Sequence, residues 1–244
     1  MSRILSAFIF IVLLTSGCTT TSPFLRTSPQ FDQSIAQIKT IAVMPADIEV
    51  YSLTAGGMRE LIDEWNDIAE QLIKENLKEH LADRFGFTTK FIEEDWLKQN
   101  YKDLWNSNRA LYNAVAMSAL LHTFSMENIF PTKKKNFDYT LGIEVESLAN
   151  VCQADALLFV YGFDHEATGG RAALAVWNFL LGAALGTVIL TPNPSGMFMG
   201  VVDAHTGELI WFKTSNPQSE YSFRNEKHIN NLMEWLTRDL LKKE

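Results

Sequence analysis

The first third of the chain alternates between short apolar runs and a long stretch with helical periodicity. Lys39 to Met44 is a short apolar run that ends at Pro45, and it predicts a buried strand. From Met58 to about Phe85, apolar residues recur at spacings of three and four, which predicts a helix with one buried face. The residues of that face are Leu61, Trp65, Ile68, Leu72, Ile73, Leu77 and Leu81.

The middle of the chain repeats the alternation of strand and helix. Thr88 to Ile92 predicts a second strand, and the acidic residues 93–95 suit the start of a helical region that continues, with a break, to about residue 122. Leu141 to Cys152 predicts another helix. Ala156 to Gly162 is the clearest strand pattern in the chain, because nearly every residue in it is apolar or aromatic.

The last part of the chain predicts a hairpin and a closing helix. Met197 to Val202 and Glu208 to Lys213 flank the turn residues 203–207, as in a β-hairpin. Glu226 to Lys243 is amphipathic at helical spacing. The order of elements predicts an α/β fold in which helices pack against a mixed β-sheet.

One apolar stretch, Ala172 to Leu190, stands apart from this pattern. It is long enough to span a bilayer at ~1.5 Å per residue. It also contains Gly182 and Gly186 at a spacing that lets helices pack closely in membranes. The residues in it that we expect to contact a membrane or another subunit are Trp177, Phe179, Leu181, Gly182 and Gly186.

Three interpretations of Ala172 to Leu190 remain open. The segment is a helix buried against the sheet or between subunits, a segment that contacts or enters the membrane, or a single transmembrane helix. An outer-membrane destination argues against the third.

The amino terminus has the pattern of an export signal. Arg3 precedes an apolar run from Ile4 to Leu14, which is too short for a comfortable transmembrane helix. Small residues at 15–17 then lead to Cys18, and the stretch resembles the lipobox of bacterial lipoproteins. We therefore predict a signal peptide at residues 1–17 and a palmitate-type lipid anchor on Cys18.

Residues beyond the lipidated cysteine predict a tether and a destination. Residues 18–38 are rich in Thr, Ser and Pro, which is typical of a linker between an anchor and a folded domain at 39–244. Thr19 rather than aspartate follows Cys18, and by resemblance to many Gram-negative lipoproteins this favours the outer membrane. The domain is expected to be periplasmic or surface-exposed.

Composition and charge narrow the choice of partner. The net charge of −8 argues against nucleic acid or an anionic lipid surface as the main partner, because phosphates would be repelled. Cys152 is the second of two cysteines; with Cys18 acylated it has no disulfide partner, and we expect it to be a small buried side chain. No other cofactor is predicted.

Several short motifs invite a catalytic or binding interpretation. Residues 54–57 (Thr-Ala-Gly-Gly) lack the lysine of a phosphate loop, and a helix-entry turn is favoured. Asp164, His165 and Glu166 follow the clearest strand, but neighbours in an extended chain point to opposite faces and rarely converge on one metal ion. Common hydrolase and zinc signatures do not occur, so neither an enzyme nor a metal site is predicted.

Three stretches together resemble a family of bacterial lipoproteins. They are Ile41 to Pro45 with residues 54–57, Ala154 to Phe159, and Val202 to Trp211. That family is in turn similar to the amino-terminal domain of TolB and to the curli secretion channel lipoprotein. The resemblance implies a TolB-like layered domain and an envelope location, and only Cys18 carries over as a functional position.

We therefore expect an outer-membrane lipoprotein that serves as a non-catalytic accessory in envelope assembly or secretion. It would act through contacts with other envelope proteins and through self-association into a homo-oligomer. The alternative is an oligomeric pore in which Ala172 to Leu190 enters the membrane. An envelope hydrolase is a third class without a supporting motif.

Overall fold

A mixed β-sheet with helices on both faces forms the domain. The computed structural model describes residues 23–53, 58–81, 86–124, 130–167, 195–216 and 221–241. In these residues, helices pack against both faces of the sheet, so the predicted α/β class is confirmed. The strands of the sheet are β1 (Leu25–Thr27), β2 (Thr40–Val43), β3 (Asp47–Leu53), β4 (Arg59–Leu61), β5 (Thr88–Phe91), β6 (Ala156–Ala167), β7 (Ser195–Asp203) and β8 (Leu209–Thr214).

The sheet has a parallel half and an antiparallel half that meet at β6. On one side of β6, strands β2 and β5 run parallel to it in the order β6-β2-β5. On the other side, β7, β8 and β1 follow as antiparallel neighbours. β3 continues the line of β2 beyond Pro45, pairs in parallel with the second half of β6, and carries β4 on its outer side.

The helices divide between the two faces of the sheet. Phe31, Ile73 and Leu232 lie in the core beneath one face, and Trp105, Tyr112 and Leu148 lie beneath the other. On the second face, the rings of Trp105 and Tyr112 both stack on Phe159 of β6, with ring centroids 6.4 Å and 4.7 Å away. The helices are α1 (Phe31–Ile35), α2 (Asp63–Leu81), α3 (Glu94–Asn100), α4 (Lys102–Ala119) with a π-helical turn directly after it (Leu120–Phe124), α5 (Pro131–Lys135), α6 (Val145–Cys152) and α7 (Glu226–Thr237).

Most predicted elements are confirmed, with shorter bounds in several cases. β2, β5, β6, the β7–β8 hairpin and α7 lie where the sequence places them. The helical region that begins near residue 93 breaks at Tyr101, between α3 and α4. The helix predicted from Leu141 begins only at Val145, because Gly142 has φ +81° and packs its backbone against Gly207.

The start of the long helix was predicted wrongly. Residues 59–61 form the edge strand β4 and not the first turn of α2, which begins at Asp63. The backbone of this stretch pairs with β3, where Tyr51 lies opposite Leu61 and Leu53 opposite Arg59. β3 itself was not predicted, although its burial alternates along the strand as expected for a half-buried one.

The folded domain also begins earlier than predicted. Leu25 is buried and β1 pairs with β8, while Phe31 of α1 lies in the core. These contacts correct the boundary between tether and domain, which the sequence placed after residue 38. The residues before 23 lie outside the described part of the chain.

Cys152 occupies the packing position expected of it. Its side chain is buried at the end of α6, and it is a free thiol. Burial raises the pKa of this thiol to about 11, so it is a poor nucleophile at neutral pH. No helix in the described part of the chain has both the length and the apolar character that crossing a bilayer requires.

Candidate functional site

One end of the sheet, which we call the β6–β7 end, gathers several features that bear on function. It consists of the last residues of β3 and β6, the first residue of β7, and β4. Asp164 lies opposite Ser195, and Leu53 lies between Ala167 and Arg59. Continuous pairing up to these residues makes this end a preformed surface.

The apolar run of the sequence is inserted between two strands at this end. Residues 168–194 connect β6 to β7, and the run from 172 to 190 lies within them. The residues that we predicted to contact a membrane or another subunit, Trp177, Phe179, Leu181, Gly182 and Gly186, fall outside the described residues. The same holds for Cys18 and for residues 54–57.

The amino-terminal chain enters the sheet from the same direction. β6 runs toward the β6–β7 end, and each further strand in the order β7, β8 and β1 reverses direction, so the amino-terminal end of β1 points toward that end. Phe24, just before β1, accepts a hydrogen bond from Thr214 N at 3.0 Å and places its ring 6.0 Å from that of Trp235. β1 therefore begins on the side of the β6–β7 end, and Pro23 and Phe24 form a turn directly before it.

Two carboxylates on β6 tie a loop to this end of the sheet. Asp164 Oδ2 accepts from Phe223 N at 2.8 Å. Glu166 accepts from Ser222 Oγ at 2.9 Å and forms a two-point ion pair with Arg224. The guanidinium of Arg224 also lies over the ring of Trp65 at 3.9 Å, so the loop 221–225 is joined to both β6 and α2.

The three residues 164–166 do not form a common site. They lie within β6 rather than after it, which corrects the predicted strand end at Gly162. His165 stacks on Tyr51 with ring centroids 5.0 Å apart, whereas Asp164 and Glu166 bind the loop. Among the residues that the structure describes, no group of three or more His, Cys, Asp or Glu side chains is arranged to hold a metal ion.

The electrostatics of the two carboxyl groups differ because their surroundings differ. Burial raises the pKa of Asp164 to about 7, against the opposing hydrogen bond from Phe223 N. Burial also acts on Glu166, but the hydrogen bonds and charge of Arg224 outweigh it, and the net shift of its pKa is downward. Glu166 is therefore the permanent anion of the pair.

A separate cavity of about 230 Å³ lies at the carboxyl ends of β2 and β5. Open α/β sheets bind ligands at this position, where parallel strands end and their loops diverge. Its floor is apolar and its rim is mainly acidic. The lining residues are Val43, Met44, Pro45, Ala46, Glu70, Lys74, Leu77, Phe91, Ile92, Glu93, Glu94 and Asp95.

The charged side chains of this cavity are mainly carboxyl groups. Burial, followed by repulsion from Glu94 and Asp67, raises the pKa of Glu70 to about 7. Lys74 pairs with Glu93 at 2.5 Å. No serine, threonine, cysteine or histidine is among the described residues that line the cavity, so its ionisable groups are carboxyl groups and the amine of Lys74.

The turn between β7 and β8 is structural, as the sequence predicted. Asp203 Oδ1 accepts from the backbone of His205 at 2.9 Å and of Thr206 at 3.3 Å. Gly207 has φ +71°, and a Cβ there would lie 2.1 Å from the carbonyl oxygen of Gly142. The residue types of the turn are thus explained by geometry alone.

Sequence reasoning did not find the loop contacts of Asp164 and Glu166 or the cavity around Glu70. Arg224 and Glu166 are far apart in the chain, and no local pattern connects them. Glu70 lies among other charged residues of α2 and looks like a solvated side chain in the sequence.

Comparison with known proteins gives weak likenesses only. No protein-family model matches the chain, and no curated protein matches it significantly. A PelC dodecamer from Paraburkholderia phytofirmans is 9% identical, with 90% of this chain and 96% of that chain covered and a TM-score of 0.37. The neisserial lipoprotein GNA1162 from Neisseria meningitidis is 12% identical, with 82% and 95% covered and a TM-score of 0.30.

The LpoB C-terminal domain from Salmonella enterica is also similar at this level. It is 12% identical, with 78% of this chain and 94% of that chain covered, and its TM-score is 0.27. All three TM-scores are below 0.5, so these likenesses carry no argument about this chain. One of these proteins is a lipoprotein and another forms a dodecamer, but both properties are those of the other proteins.

Proposed function

We propose that the protein is a lipid-anchored envelope protein that acts without catalysis, through contacts with other proteins and with further copies of itself. The lipid is attached to Cys18 and the destination is the outer membrane. The observation that carries the proposal is that β1 begins on the side of the sheet where β6 ends and β7 begins.

The role as an accessory in envelope assembly or secretion is supported by chemistry as well as by topology. The described lining of the cavity at the ends of β2 and β5 has no serine, threonine, cysteine or histidine, and the carboxylates 164 and 166 are engaged in holding a loop. The apolar run needs cover from protein or lipid, since an exposed apolar patch of this size is unfavourable in water. A contact function fits both features, and no cofactor beyond the lipid is needed.

A second candidate function is an oligomeric pore in which Ala172 to Leu190 enters the bilayer. It is supported by the length and apolar character of the run, which lies between β6 and β7 in the chain. In the first function the same run is covered by protein.

The test compares four forms of the protein: wild type, Cys18→Ala, a deletion of residues 172–190, and the combination. The deletion leaves residues 168–171 and 191–194 between Ala167 and Ser195, which is enough chain to close a hairpin. Membrane fractionation and the mass of the detergent-solubilised protein are the measurements. Thermal unfolding serves as the control for folding.

The accessory function predicts that Cys18→Ala moves the folded protein into the soluble fraction. If Cys18→Ala instead stays in the membrane as a large oligomer, and only the added deletion releases it, the pore is the correct function. Wild-type protein that is soluble from the start contradicts both.

A further inference from the structure

The cavity at the carboxyl ends of β2 and β5 combines an apolar lining with carboxyl groups. Its apolar part consists of residues 43–46, Leu77 of α2, and residues 91–92 at the end of β5. Four acidic side chains and one lysine supply the charge. At about 230 Å³, the cavity is smaller than the pockets of roughly 300–1,000 Å³ that hold drug-sized ligands. Its volume therefore suits a single side chain or a molecule of similar size.

The charged groups at the cavity are unevenly paired. Lys74 pairs with Glu93 at 2.5 Å, and Lys98 pairs with Glu94 at 2.8 Å. Glu70 is half-buried at the cavity and has no hydrogen bond or ion pair with any residue that the structure describes. Negative charge therefore exceeds positive charge at this site, and a cation from outside the domain would complement it.

The surroundings of Glu70 hold its carboxyl group ready for a cation. Burial is the largest cause of its raised pKa of about 7, repulsion from Glu94, Asp67 and Asp47 adds to it, and Lys98 opposes it only in part. A cation beside Glu70 would favour the ionised carboxylate, so its binding would release a proton near neutral pH. The other charged groups nearby are Lys74 and Glu93 at the rim, and Arg109, which lies 3.6 Å from Asp47 and 3.9 Å from Glu94.

The mixed lining of the cavity matches the side chains of arginine and lysine. Both have an apolar stem that packs against apolar surface while the charged head stays with polar groups. The planar guanidinium of arginine can also bind a carboxylate through two parallel hydrogen bonds. The apolar side chains of Met44 and Phe91 would contact the stem, and Glu70 would bind the head.

Exposed aromatic side chains beside the cavity favour a protein as the source of this cation. The helix α3 begins with Glu94 and Asp95, which line the cavity. Trp96 and Tyr101, in and directly after this helix, are 39% and 37% exposed, with ring centroids 5.2 Å apart. Aromatic residues are enriched at protein–protein interfaces relative to the rest of the surface. A protein segment is long enough to contact both the cavity and these rings.

We propose that the cavity at the ends of β2 and β5 is a docking site for an arginine or lysine side chain of a partner protein, with Glu70 as the carboxylate that binds it. The inference rests on the proposed function, since that function works through contacts with other proteins. It adds the chemistry of the partner, which presents an exposed basic segment.

The test uses a short peptide as the probe, acetyl-Gly-Arg-Gly-amide. The matched peptide carries citrulline, which has nearly the shape of arginine but no charge, and free butylguanidinium represents a small-molecule cation. Each is titrated into the full-length protein in neutral detergent at low salt, and the NMR shifts of the Phe91 and Ile92 amides report occupancy of the cavity. We expect the arginine peptide to bind roughly tenfold more tightly than the citrulline peptide, because hydrogen bonds between charged groups are the stronger ones. We also expect it to bind at least as tightly as butylguanidinium.

Glu70→Gln and Glu79→Gln are the matched variants. Glu79 lies nine residues later on α2, which is two and a half turns at ~3.6 residues per turn, so it is on the opposite side of the helix, and it is exposed. In the wild type, the arginine peptide should bind about tenfold more tightly at about pH 8 than at about pH 6, because the proton on Glu70 competes with the cation. Glu70→Gln should weaken binding at the higher pH roughly tenfold and remove this pH dependence, while Glu79→Gln should match the wild type. Thermal unfolding confirms that both variants are folded.

Three results overturn the docking site. They are equal binding of the arginine and citrulline peptides, wild-type affinity and pH dependence in Glu70→Gln, and tighter binding of butylguanidinium than of the peptide, which would assign the cavity to a free small cation. None of them depends on the lipid anchor. Failure of this inference is therefore distinguishable from failure of the proposed function, which membrane fractionation of Cys18→Ala tests.

Discussion

At the scale of single residues, Asp164 couples the fold to pH. The ordinary pKa of its carboxyl is 3.8, and burial in the folded state raises this pKa to about 7. Because the folded protein binds the proton more tightly, the stability from this group is complete below about pH 4 and is lost as the pH rises through 7. Asp164→Asn keeps an acceptor for Phe223 N but does not titrate.

We predict that the wild type loses on the order of 4 kcal/mol more stability than Asp164→Asn between about pH 4 and about pH 8, at ~1.4 kcal/mol per pKa unit. Urea unfolding across this range measures the difference. Glu70 titrates in the same range but is half-buried, so its smaller contribution is present in both proteins and cancels. If the unfolding free energies of the two proteins change with pH in parallel, the assigned role of Asp164 is excluded.

Lys213 is a second residue whose role the structure makes specific. Its side chain is 0% exposed, and Nζ donates to Trp235 O at 2.6 Å and to Asp239 Oδ2 at 2.8 Å. The ammonium thus joins β8 to the end of α7. Lys213→Met removes the charge and leaves the Trp235 carbonyl and the partly exposed Asp239 carboxylate without this donor, which we expect to cost about 2–4 kcal/mol of unfolding free energy.

The control is Arg238→Met in the same region. Arg238 pairs with Glu234 at 3.5 Å, and both side chains are exposed, so its loss should change stability by less than about 0.5 kcal/mol. Chemical denaturation compares the two variants. Equal stabilities for Lys213→Met and Arg238→Met would contradict the structural role of the buried lysine.

At the scale of elements, the contact between the β7–β8 turn and the start of α6 depends on two glycines. Gly207 has φ +71° and leaves no room for a Cβ beside Gly142. Gly207→Ala should therefore destabilise the protein by at least about 2 kcal/mol or prevent folding, since both backbone strain and a clash oppose it. Gly86→Ala, where a Cβ meets nothing within 4 Å, should stay within about 0.5 kcal/mol of wild type. A thermal shift assay that finds both variants alike would refute this account of the turn.

The elements also show how far local pattern determines this fold. β2, β5 and β6 were predicted because they are short apolar runs, and α7 because its period is helical. β4 was mistaken for helix because Leu61 and Trp65 keep helical spacing into α2, and the pairing of Leu61 with Tyr51 is not visible locally. The contact of Glu166 with Arg224 and the cavity at Glu70 likewise join distant parts of the chain, so a single sequence does not predict them.

At the scale of the whole molecule, the topology separates the two ends of the domain. β1 begins on the side of the β6–β7 end, where β6 ends and β7 begins, while the β7–β8 turn lies at the other end. The cavity at the ends of β2 and β5 lies on the flank away from β1.

The lipid on Cys18 is the central claim of the proposed function. Its most direct measurement is the mass of the amino-terminal peptide of the mature protein, isolated from membranes. The account predicts a peptide that begins at Cys18 and carries a diacylglyceryl group and an amide-linked acyl chain. A peptide that begins at Met1, or one that is cut elsewhere and contains Cys18 as a free thiol, would contradict it.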